Sequence, residues 1–379
     1  MVRIGFGVLL LLLSMLTLFR APTNFFWRVA VAVTEFPWVF ILAALLLFAS
    51  NFLLEKYKIA TLLVSGVALV IFCMPVVRAY TRGANLKNDL AAVFPGAEKE
   101  NQLQQPFSFW KMFSGIQGET VTPQVLPYKQ LEKRALMLDY FSSSAQVKSP
   151  CVVVVHGGSW SSGDSKQLPE LNSYLANHGY NVAAINYRLA PEYKSPAPVE
   201  DVRDAIRYLK DNAEKLNIDT NNFILLGRSA GGQIALCAAY TMNDPTVKGV
   251  ISYYAPADMV WGAKIKGNPL VLNTDAVFAQ YLGGPYDQFA EKYHESSACE
   301  HVKNGSTPTL IIHGEIDAMV AFEHSNRLKK KLDAFNVPHY FLDLPGSTHG
   351  CDYNLSGPSG QVITFAVEKF IASVTSPAK

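Results

Sequence analysis

The sequence has few cysteines and almost no net charge, and both shortages exclude classes of protein. Its 379 residues include five cysteines, which are not spaced as zinc ligands or as a small disulfide framework. The 33 lysines and arginines nearly balance the 31 aspartates and glutamates, giving a net charge of +2. No basic tract with interleaved aromatic residues, internal repeat or low-complexity tract is present. We therefore predict no metal site and no nucleic-acid partner.

The cysteines are interpreted mainly as structural residues. Cys73, Cys151 and Cys237 lie in apolar runs, where a free cysteine is typically a small buried residue. Cys299 and Cys351 would be able to pair in an oxidising compartment. The sequence leaves that disulfide open.

Charge is also scarce in the first 80 residues, which contain three long apolar runs. These cover residues 4–19, 36–54 and 59–77. The second and third are each 19 residues long without a charged side chain, enough for a helix to cross a hydrocarbon core of about 30 Å. The first resembles a signal peptide, but no small-residue cleavage site follows Phe19. We predict two or three transmembrane helices in residues 1–80, which would anchor the protein in membrane lipid.

Cations near these runs bear on the orientation of the anchor. With three spans and a cytoplasmic N-terminus, three cations would flank the inner side and five the outer side. That distribution is opposite to the positive-inside rule. It favours, by a small margin, a topology in which the rest of the chain faces the cytoplasm, although a different number of spans would reverse it. The two sets are Arg3, Lys56 and Lys58, and Arg20, Arg28, Arg78, Arg82 and Lys87.

Beyond the apolar runs the chain changes to a polar linker and then to alternating strands and helices. Residues 81–118 are the predicted linker, and residues 119–379 the predicted soluble domain. The alternation predicts an α/β fold, a mostly parallel sheet with helices on both faces. Predicted strands cover 134–141, 151–155, 181–187, 223–226, 247–254, 309–313 and 339–344, and predicted helices 168–178, 198–212, 233–240, 322–335 and 360–374.

Residues 257–306 interrupt this alternation. The segment is too long for an ordinary connection and is rich in glycine, proline and aromatic residues. Long insertions between late strands usually lie over the carboxyl ends of the strands, where ligands bind in open α/β sheets. We predict a small lid over the site, with a surface excursion that does not contact substrate as the alternative.

The pattern Gly-x-Ser-x-Gly at residues 227–231 lies between a predicted buried strand and a predicted helix. A strand, a sharp turn and a helix in this order are typical of a nucleophile elbow. Gly227 and Gly231 flank Ser229 where a side chain would collide with the turn, which leaves the serine hydroxyl above the sheet. By itself the pattern is weak evidence for a nucleophile, since without catalytic partners Ser229 is equally well interpreted as a serine in a turn. Partners elsewhere in the chain must decide between the two.

A candidate acid and a candidate base follow Ser229 in the chain, each on a loop after a predicted strand. Of the eight histidines, only His349 lies between the last predicted strand and the last predicted helix. Asp317 follows the strand at 309–313, where it can accept a hydrogen bond from His349 and stabilise the imidazolium. Glu315 and Asp343 are the alternative acids. Glu315 lies nearer the strand end and Asp343 within a predicted strand, so we prefer Asp317.

The sequence His-Gly-Gly-Ser-Trp at residues 156–160 directly follows a predicted buried strand. Its two glycines let the backbone approach a ligand closely. Amides of this loop and of Ala230, the residue after the nucleophile, can then point at one developing oxyanion. Trp160 is predicted to wall the pocket, with a buried aromatic that has no substrate role as the alternative.

The order His-Gly-Gly, Gly-x-Ser-x-Gly, Asp, His resembles the α/β-hydrolase superfamily. More narrowly, Tyr-Arg-Leu-Ala-Pro-Glu at 187–192, Pro-Val-Glu-Asp-Val at 198–202 and Ser-Ala-Gly-Gly at 229–232 resemble the hormone-sensitive-lipase-like carboxylesterases. They equally resemble the group containing feruloyl and acetylxylan esterases, kynurenine formamidases and isoprenylcysteine methylesterases. The resemblance covers about residues 136–374. It implies an α/β-hydrolase fold.

Two positions depart from the lipase-like pattern. Ser159 stands where a third glycine is usual, and Arg228 replaces a frequent aspartate before the nucleophile. Because the amide of Ser159 is retained, the resemblance implies oxyanion donors at Gly158, Ser159 and Ala230. Gly157 and Trp160 would contact the substrate.

These patterns predict a membrane-anchored serine carboxylesterase that needs no cofactor. Ser229 would attack the ester, His349 would carry the proton, and Asp317 would orient His349. An amidase or formamidase with the same residues, and a non-catalytic membrane-tethered binding module, are the alternatives. The substrate, beyond a small or lipid-like ester, and the oligomeric state stay open.

Overall fold

One eight-stranded sheet organises the fold. The computed structural model describes residues 1–96, 103–145 and 147–375. The strands are β1 (Gln124–Gln130), β2 (Ala135–Phe141), β3 (Ser149–Val155), β4 (Asn181–Ile185), β5 (Ile218–Arg228), β6 (Val247–Tyr253), β7 (Thr309–Gly314) and β8 (His339–Leu344).

The strands lie side by side in the order β1-β2-β4-β3-β5-β6-β7-β8. The β1–β2 and β2–β4 pairs are antiparallel, and all other neighbours are parallel. In the central strands, residues on both faces are buried, because helices cover the sheet on each side. The predicted α/β architecture is therefore confirmed. The prediction missed β1, which contains Pro127 and buries only Tyr128, so it lacks an alternating apolar pattern.

Helices fill the connections and also precede the sheet. Within the described residues they are α1 (Val2–Ser14), α2 (Asn24–Glu35), α3 (Pro37–Ala49), α4 (Lys58–Gly83), α5 (Leu86–Val93), α6 (Lys111–Ser114), α7 (Pro169–Asn177), α8 (Ala197–Asp211), α9 (Ala213–Leu216), α10 (Ala230–Thr241), α11 (Met259–Gly262), α12 (Thr274–Leu282), α13 (Tyr286–Glu295), α14 (Glu323–Ala334) and α15 (Pro358–Val374). Short 3₁₀ turns occupy Met15–Thr17, Ser50–Phe52 and Ala298–Glu300.

The first four helices correspond only partly to the predicted membrane spans. Of the described helices, only α4 has the length and apolar composition needed to cross a membrane by itself. α2 and α3 meet that criterion only as a pair bent by 82°. The run at 36–54 thus forms a 13-residue helix that begins at Pro37 and ends in a 3₁₀ turn. Apolar composition did not fix helix length there, and multiple spans remain a prediction.

The N-terminal helices contact the sheet domain directly. Near the end of α4, Arg82 pairs with Asp343 of β8 at 2.7 Å. Ala79 of α4 and Leu86 and Leu90 of α5 are buried in the apolar core that covers one face of the sheet. The predicted linker at 81–118 thus contains α5 and α6, while its residues 97–102 lie outside the described residues.

All five cysteines are unpaired. Cys299 lies in the apolar cluster on one face of the sheet, and Cys351 lies in the cluster on the other face. The sheet separates them, so the disulfide that the sequence left open does not form.

Candidate active site

Ser229 occupies a strained turn between β5 and α10. Its backbone has φ 53° and ψ −121°, a conformation that is unfavourable for a side chain and is held by the surrounding structure. The Ser229 amide donates to the Tyr253 carbonyl of β6 at 2.9 Å. A Cβ at Gly227 would collide with the carbonyl of Gly231, and one at Gly231 with the carbonyl of Val155. Glycine is therefore required on both sides of Ser229.

Ser229, His349 and Asp317 form one chain of hydrogen bonds. His349 Nε2 lies 3.1 Å from Ser229 Oγ, and His349 Nδ1 lies 2.7 Å from Asp317 Oδ2. The His349 side chain is 9% exposed, and that of Asp317 is fully buried. The ionised carboxylate only accepts, so Nδ1 carries the proton and Nε2 is free to accept from the serine hydroxyl. The structure thus brings together three residues that the sequence analysis predicted on three separate loops.

Asp317 is held as an anion by several donors. Its Oδ1 accepts the amides of Met319 at 2.7 Å and Val320 at 2.9 Å. His313 Nε2 lies 3.1 Å from Oδ2, a contact that the sequence analysis did not predict. Burial alone would raise the pKa of Asp317, but the charge of His349 and the hydrogen bonds from both histidines hold that pKa well below its usual range.

The two alternative acids lie elsewhere. The Asp343 carboxylate is engaged by Arg82, and Glu315 is exposed. The geometry therefore favours Asp317 as the residue that orients His349.

The loop after β3 takes the unusual backbone that its glycines predict. Gly158 has φ 122°, and Ser159 and Trp160 have φ 53° and 59°. Within the described part of the chain, the amides of Gly158, Ser159 and Ala230 take part in no backbone hydrogen bond. Ser159 and Ala230 line the same cavity as Ser229. Gly157 is not part of that lining, and a Cβ there would meet the Arg228 carbonyl at 3.1 Å and the Ser229 Cβ at 3.3 Å.

A cavity of about 430 Å³ opens beside Ser229. Trp160 lines it, stacks on Tyr281 with ring centroids 4.5 Å apart, and donates from Nε1 to Gln233 at 2.8 Å. His324 also lines it and is neutral, since burial and the nearby His313 lower its pKa to about 3. Part of the segment at 257–306, together with the preceding Pro256, forms one wall of the cavity. The lining residues from the segment are Gly262, Ile265, Lys266, Gly267, Asn268, Leu272, Thr274, Val277 and Phe278.

A comparison with protein families identifies this arrangement. The family model described as BD-FAE matches residues 138–332, slightly more than half of the chain. The chain belongs to the BD-FAE family. The matched residues include β3, the Ser229 turn and Asp317, and His349 follows them. The predicted resemblance to α/β-hydrolase serine esterases is confirmed.

Two curated relatives of this BD-FAE protein are named as an esterase and a probable carboxylic ester hydrolase. Esterase LipC of Mycobacterium tuberculosis is 28% identical over 60% of this chain and 59% of its own length. The probable carboxylic ester hydrolase LipM of the same organism is 26% identical over 60% of this chain and 54% of its own length. The chain thus spans less than two thirds of these relatives. A Thermogutta terrifontis esterase with propionate bound, at 21% identity and TM-score 0.55, covers 69% of this chain and 98% of its own and shares the fold.

Arg228, the position that departs from the lipase-like pattern, forms a buried ion pair in this BD-FAE protein. Its Nε donates to Asp352 Oδ2 at 2.5 Å, and the Tyr254 hydroxyl donates to the other carboxylate oxygen at 2.6 Å. Burial alone would lower the pKa of Arg228, but Asp352 outweighs it and the net pKa is raised. Asp352 comes three residues after His349, so the pair fastens the histidine loop to the end of β5.

Replacing Arg228 alone should destabilise the fold. We expect Arg228→Met to lower the free energy of unfolding by about 3–5 kcal/mol, because it leaves the Asp352 charge buried without a cation. The double variant Arg228→Met/Asp352→Leu should recover more than half of that loss. Urea unfolding followed by tryptophan fluorescence measures both. A single variant no less stable than the double would contradict this role of the pair.

Residues of α2 also hold the histidine loop, and the sequence analysis missed them. Trp27 Nε1 donates to the His349 carbonyl at 2.9 Å, and the two rings are 6.4 Å apart. The backbone carbonyl of Glu35 accepts from Asn354 Nδ2 at 2.8 Å. The side-chain carboxylate of Glu35 accepts from the Ser359 amide at 3.3 Å. Trp27 and His349 are 322 positions apart, and no local pattern signals such a contact.

Proposed function

We propose that this protein hydrolyses carboxylic esters through an acyl-enzyme intermediate. The observation that carries the proposal is the hydrogen-bond chain from Ser229 through His349 to Asp317, ending at a cavity large enough for an acyl group. Ser229 Oγ attacks the ester carbonyl while His349 Nε2 takes its proton. The tetrahedral intermediate collapses as His349 returns the proton to the departing alcohol. Water then repeats the sequence and releases the acid.

Backbone amides would stabilise the oxyanion in both steps. Ser159 and Ala230 line the cavity next to Ser229, and Gly158 precedes them in the strained loop. Donors fixed before the reaction stabilise the developing charge without reorganising, and one such donor is typically worth about 2.7–4 kcal/mol. The departure at Ser159 leaves its amide in place, which supports the implied role.

The helices before the sheet support a membrane location. α4 has the length and apolar composition of a span, and most of its apolar length is not covered by the rest of the chain. We propose that α4 anchors the protein in a bilayer, with α1 to α3 beside it. The substrate would then be an ester that reaches the cavity at the membrane.

A substrate panel tests the proposed reaction against hydrolysis of amides. We expect full-length protein to hydrolyse p-nitrophenyl esters of two to twelve carbons at least about 100-fold faster, in kcat/KM, than the matched anilides and N-formyl compounds, because p-nitrophenolate is a much better leaving group than an amine. Sugar acetates and feruloyl esters extend the panel. Faster turnover of the N-formyl compounds would indicate a formamidase rather than an esterase. No turnover of any compound would favour a non-catalytic binding module.

A further inference from the structure

The cavity beside Ser229 is built partly from the N-terminal segment. Arg20, Ala21 and Pro22, between α1 and α2, line it together with the proposed nucleophile. The segment is fixed to residues of the 257–306 insertion. Asn268 Nδ2 donates to the Pro22 carbonyl at 2.9 Å, and the Asn24 amide donates to the Leu270 carbonyl at 2.9 Å. The mouth of the cavity is therefore shared between the helical anchor and the hydrolase domain.

Large exposed apolar side chains lie next in sequence to the residues that form this mouth. Phe19 precedes Arg20, Phe25 and Phe26 lie in the first turn of α2 three and four positions after Pro22, and Leu270 lies two positions after Asn268. We call Phe19, Phe25, Phe26 and Leu270 the mouth patch. They are 63%, 68%, 40% and 68% exposed. Exposed aromatic and aliphatic side chains grouped in this way mark a surface that contacts another apolar phase. α1, which is followed by a 3₁₀ turn and then Phe19, exposes Phe6, Leu9 and Leu12 and packs against α4.

A bilayer is the partner that fits this surface. α4 is the described helix with the length and composition of a span, and α1, which exposes apolar side chains, packs against it shortly before Phe19 in the chain. Phenylalanines beside arginines are typical of a segment that lies at the interface between acyl chains and head groups. Arg20 adjoins Phe19, and Arg28 follows Phe26 by two positions.

The charge at the mouth is positive. Arg20 and Lys266 line the cavity and are exposed. Neither has an ion-pair partner among the described residues. The acidic residue in the lining is Asp317, and its carboxylate is taken up by His349, His313 and backbone amides. An anionic group entering the mouth would therefore meet two available cations and no free carboxylate of the lining.

We propose that the cavity takes amphiphilic esters with an anionic polar group directly from a lipid surface. The mouth patch lies in the bilayer interface, the acyl chain enters beside Trp160, and the anionic group stays at Arg20 and Lys266. This inference rests on the proposed ester hydrolysis and adds the substrate class and the route of entry.

A pair of matched substrates tests the charge preference. Full-length protein is placed in vesicles of a diether phosphatidylcholine, which has no ester bond, with either lysophosphatidylglycerol or lysophosphatidylcholine of the same acyl chain. We expect kcat/KM for the anionic lipid to exceed that for the zwitterionic lipid by about tenfold, as two partly exposed charge contacts allow. Arg20→Gln/Lys266→Gln should bring this ratio close to one. Lys133→Gln/Arg134→Gln, the same charge change on the β1–β2 turn, should keep it.

A second comparison tests entry from lipid. Phe19→Ser/Phe25→Ser should lower kcat/KM for the vesicle-borne ester about tenfold more than that for a water-soluble acetate ester. Val147→Ser, at the amino-terminal edge of β3 opposite the site, should affect both substrates equally. A wild-type ratio near one, or equal losses on both substrates in the phenylalanine variant, would overturn the inference while leaving ester hydrolysis intact. Failure of the wild type to hydrolyse even the soluble ester would instead refute the proposed function.

Discussion

Ser229→Ala is expected to lower kcat for ester hydrolysis by at least about 10⁴-fold, because it removes the proposed attacking oxygen, the hydroxyl that contacts His349. In the hydrogen-bond chain, Ser229 Oγ contacts His349 Nε2 at 3.1 Å. The proposed oxyanion amides of Gly158, Ser159 and Ala230 remain, and they should account for a small residual rate over water. Initial rates with a p-nitrophenyl ester measure the effect, and mass spectrometry after a fluorophosphonate probe should locate the adduct on Ser229.

The fold should survive this change. The backbone bond from the Ser229 amide to Tyr253 does not involve the side chain, and alanine and serine meet the same strain at φ 53°. The midpoint of thermal unfolding should therefore stay close to that of the wild type. Turnover equal to the wild type, or probe labelling of a residue other than Ser229 in the wild type, would refute the assignment.

Asp317→Asn should lower kcat by about 10⁴-fold with little change in KM. An asparagine amide in this position donates to His349 Nδ1, which forces the proton onto Nε2 and prevents that atom from accepting the serine proton. The oxygen that accepts from Met319 and Val320 can remain in place, so the loop is retained. Glu315→Gln is the matched control, because that carboxylate is exposed two residues away and should leave kcat within about twofold of the wild type.

The same substitution should change the acid sensitivity of the fold. The pKa of Asp317 lies below its unfolded value, so its anion stabilises the folded state above a pH of about 4 and loses this effect as the pH falls through the lowered pKa. The asparagine side chain of the variant cannot titrate, so Asp317→Asn should show a smaller loss of unfolding free energy between neutral pH and a pH of about 3. Urea unfolding at a series of pH values measures this loss. Identical pH profiles of stability, or full activity in Asp317→Asn, would contradict this account.

Local patterns explain what the sequence could predict. The two glycines around Ser229, the apolar runs of the central strands and the loop positions of Asp317 and His349 each require particular residues within a short segment. The glycines are needed because the turn is crowded, and the apolar runs because the strands are buried on both faces. Both requirements can be recognised from the adjacent residues in the sequence. The α/β fold is confirmed for that reason, and the roles of the site residues stay predictions that rest on their geometry.

Contacts between distant residues explain what the sequence could not predict. Arg228 and Asp352 are 124 positions apart, and neither has a neighbour that reveals the other. The wall formed by Arg20 to Pro22 depends on how α2 meets the insertion, a matter of tertiary packing. Apolar length predicted membrane spans, but the run at 36–54 forms an α-helix of only 13 residues, which ends at Ala49 and meets α2 at a bend of 82°.

The bond from Trp27 to the His349 carbonyl also orders events during synthesis. At about 5–20 residues per second, the ribosome makes Trp27 tens of seconds before His349. The helices are thus made well before the loop that they support exists. The site is complete only when the last part of the domain docks onto them. A nascent chain that ends before His349 therefore carries Ser229 without the proposed base, and the onset of the proposed hydrolysis would report that the last part of the domain has docked onto the N-terminal helices.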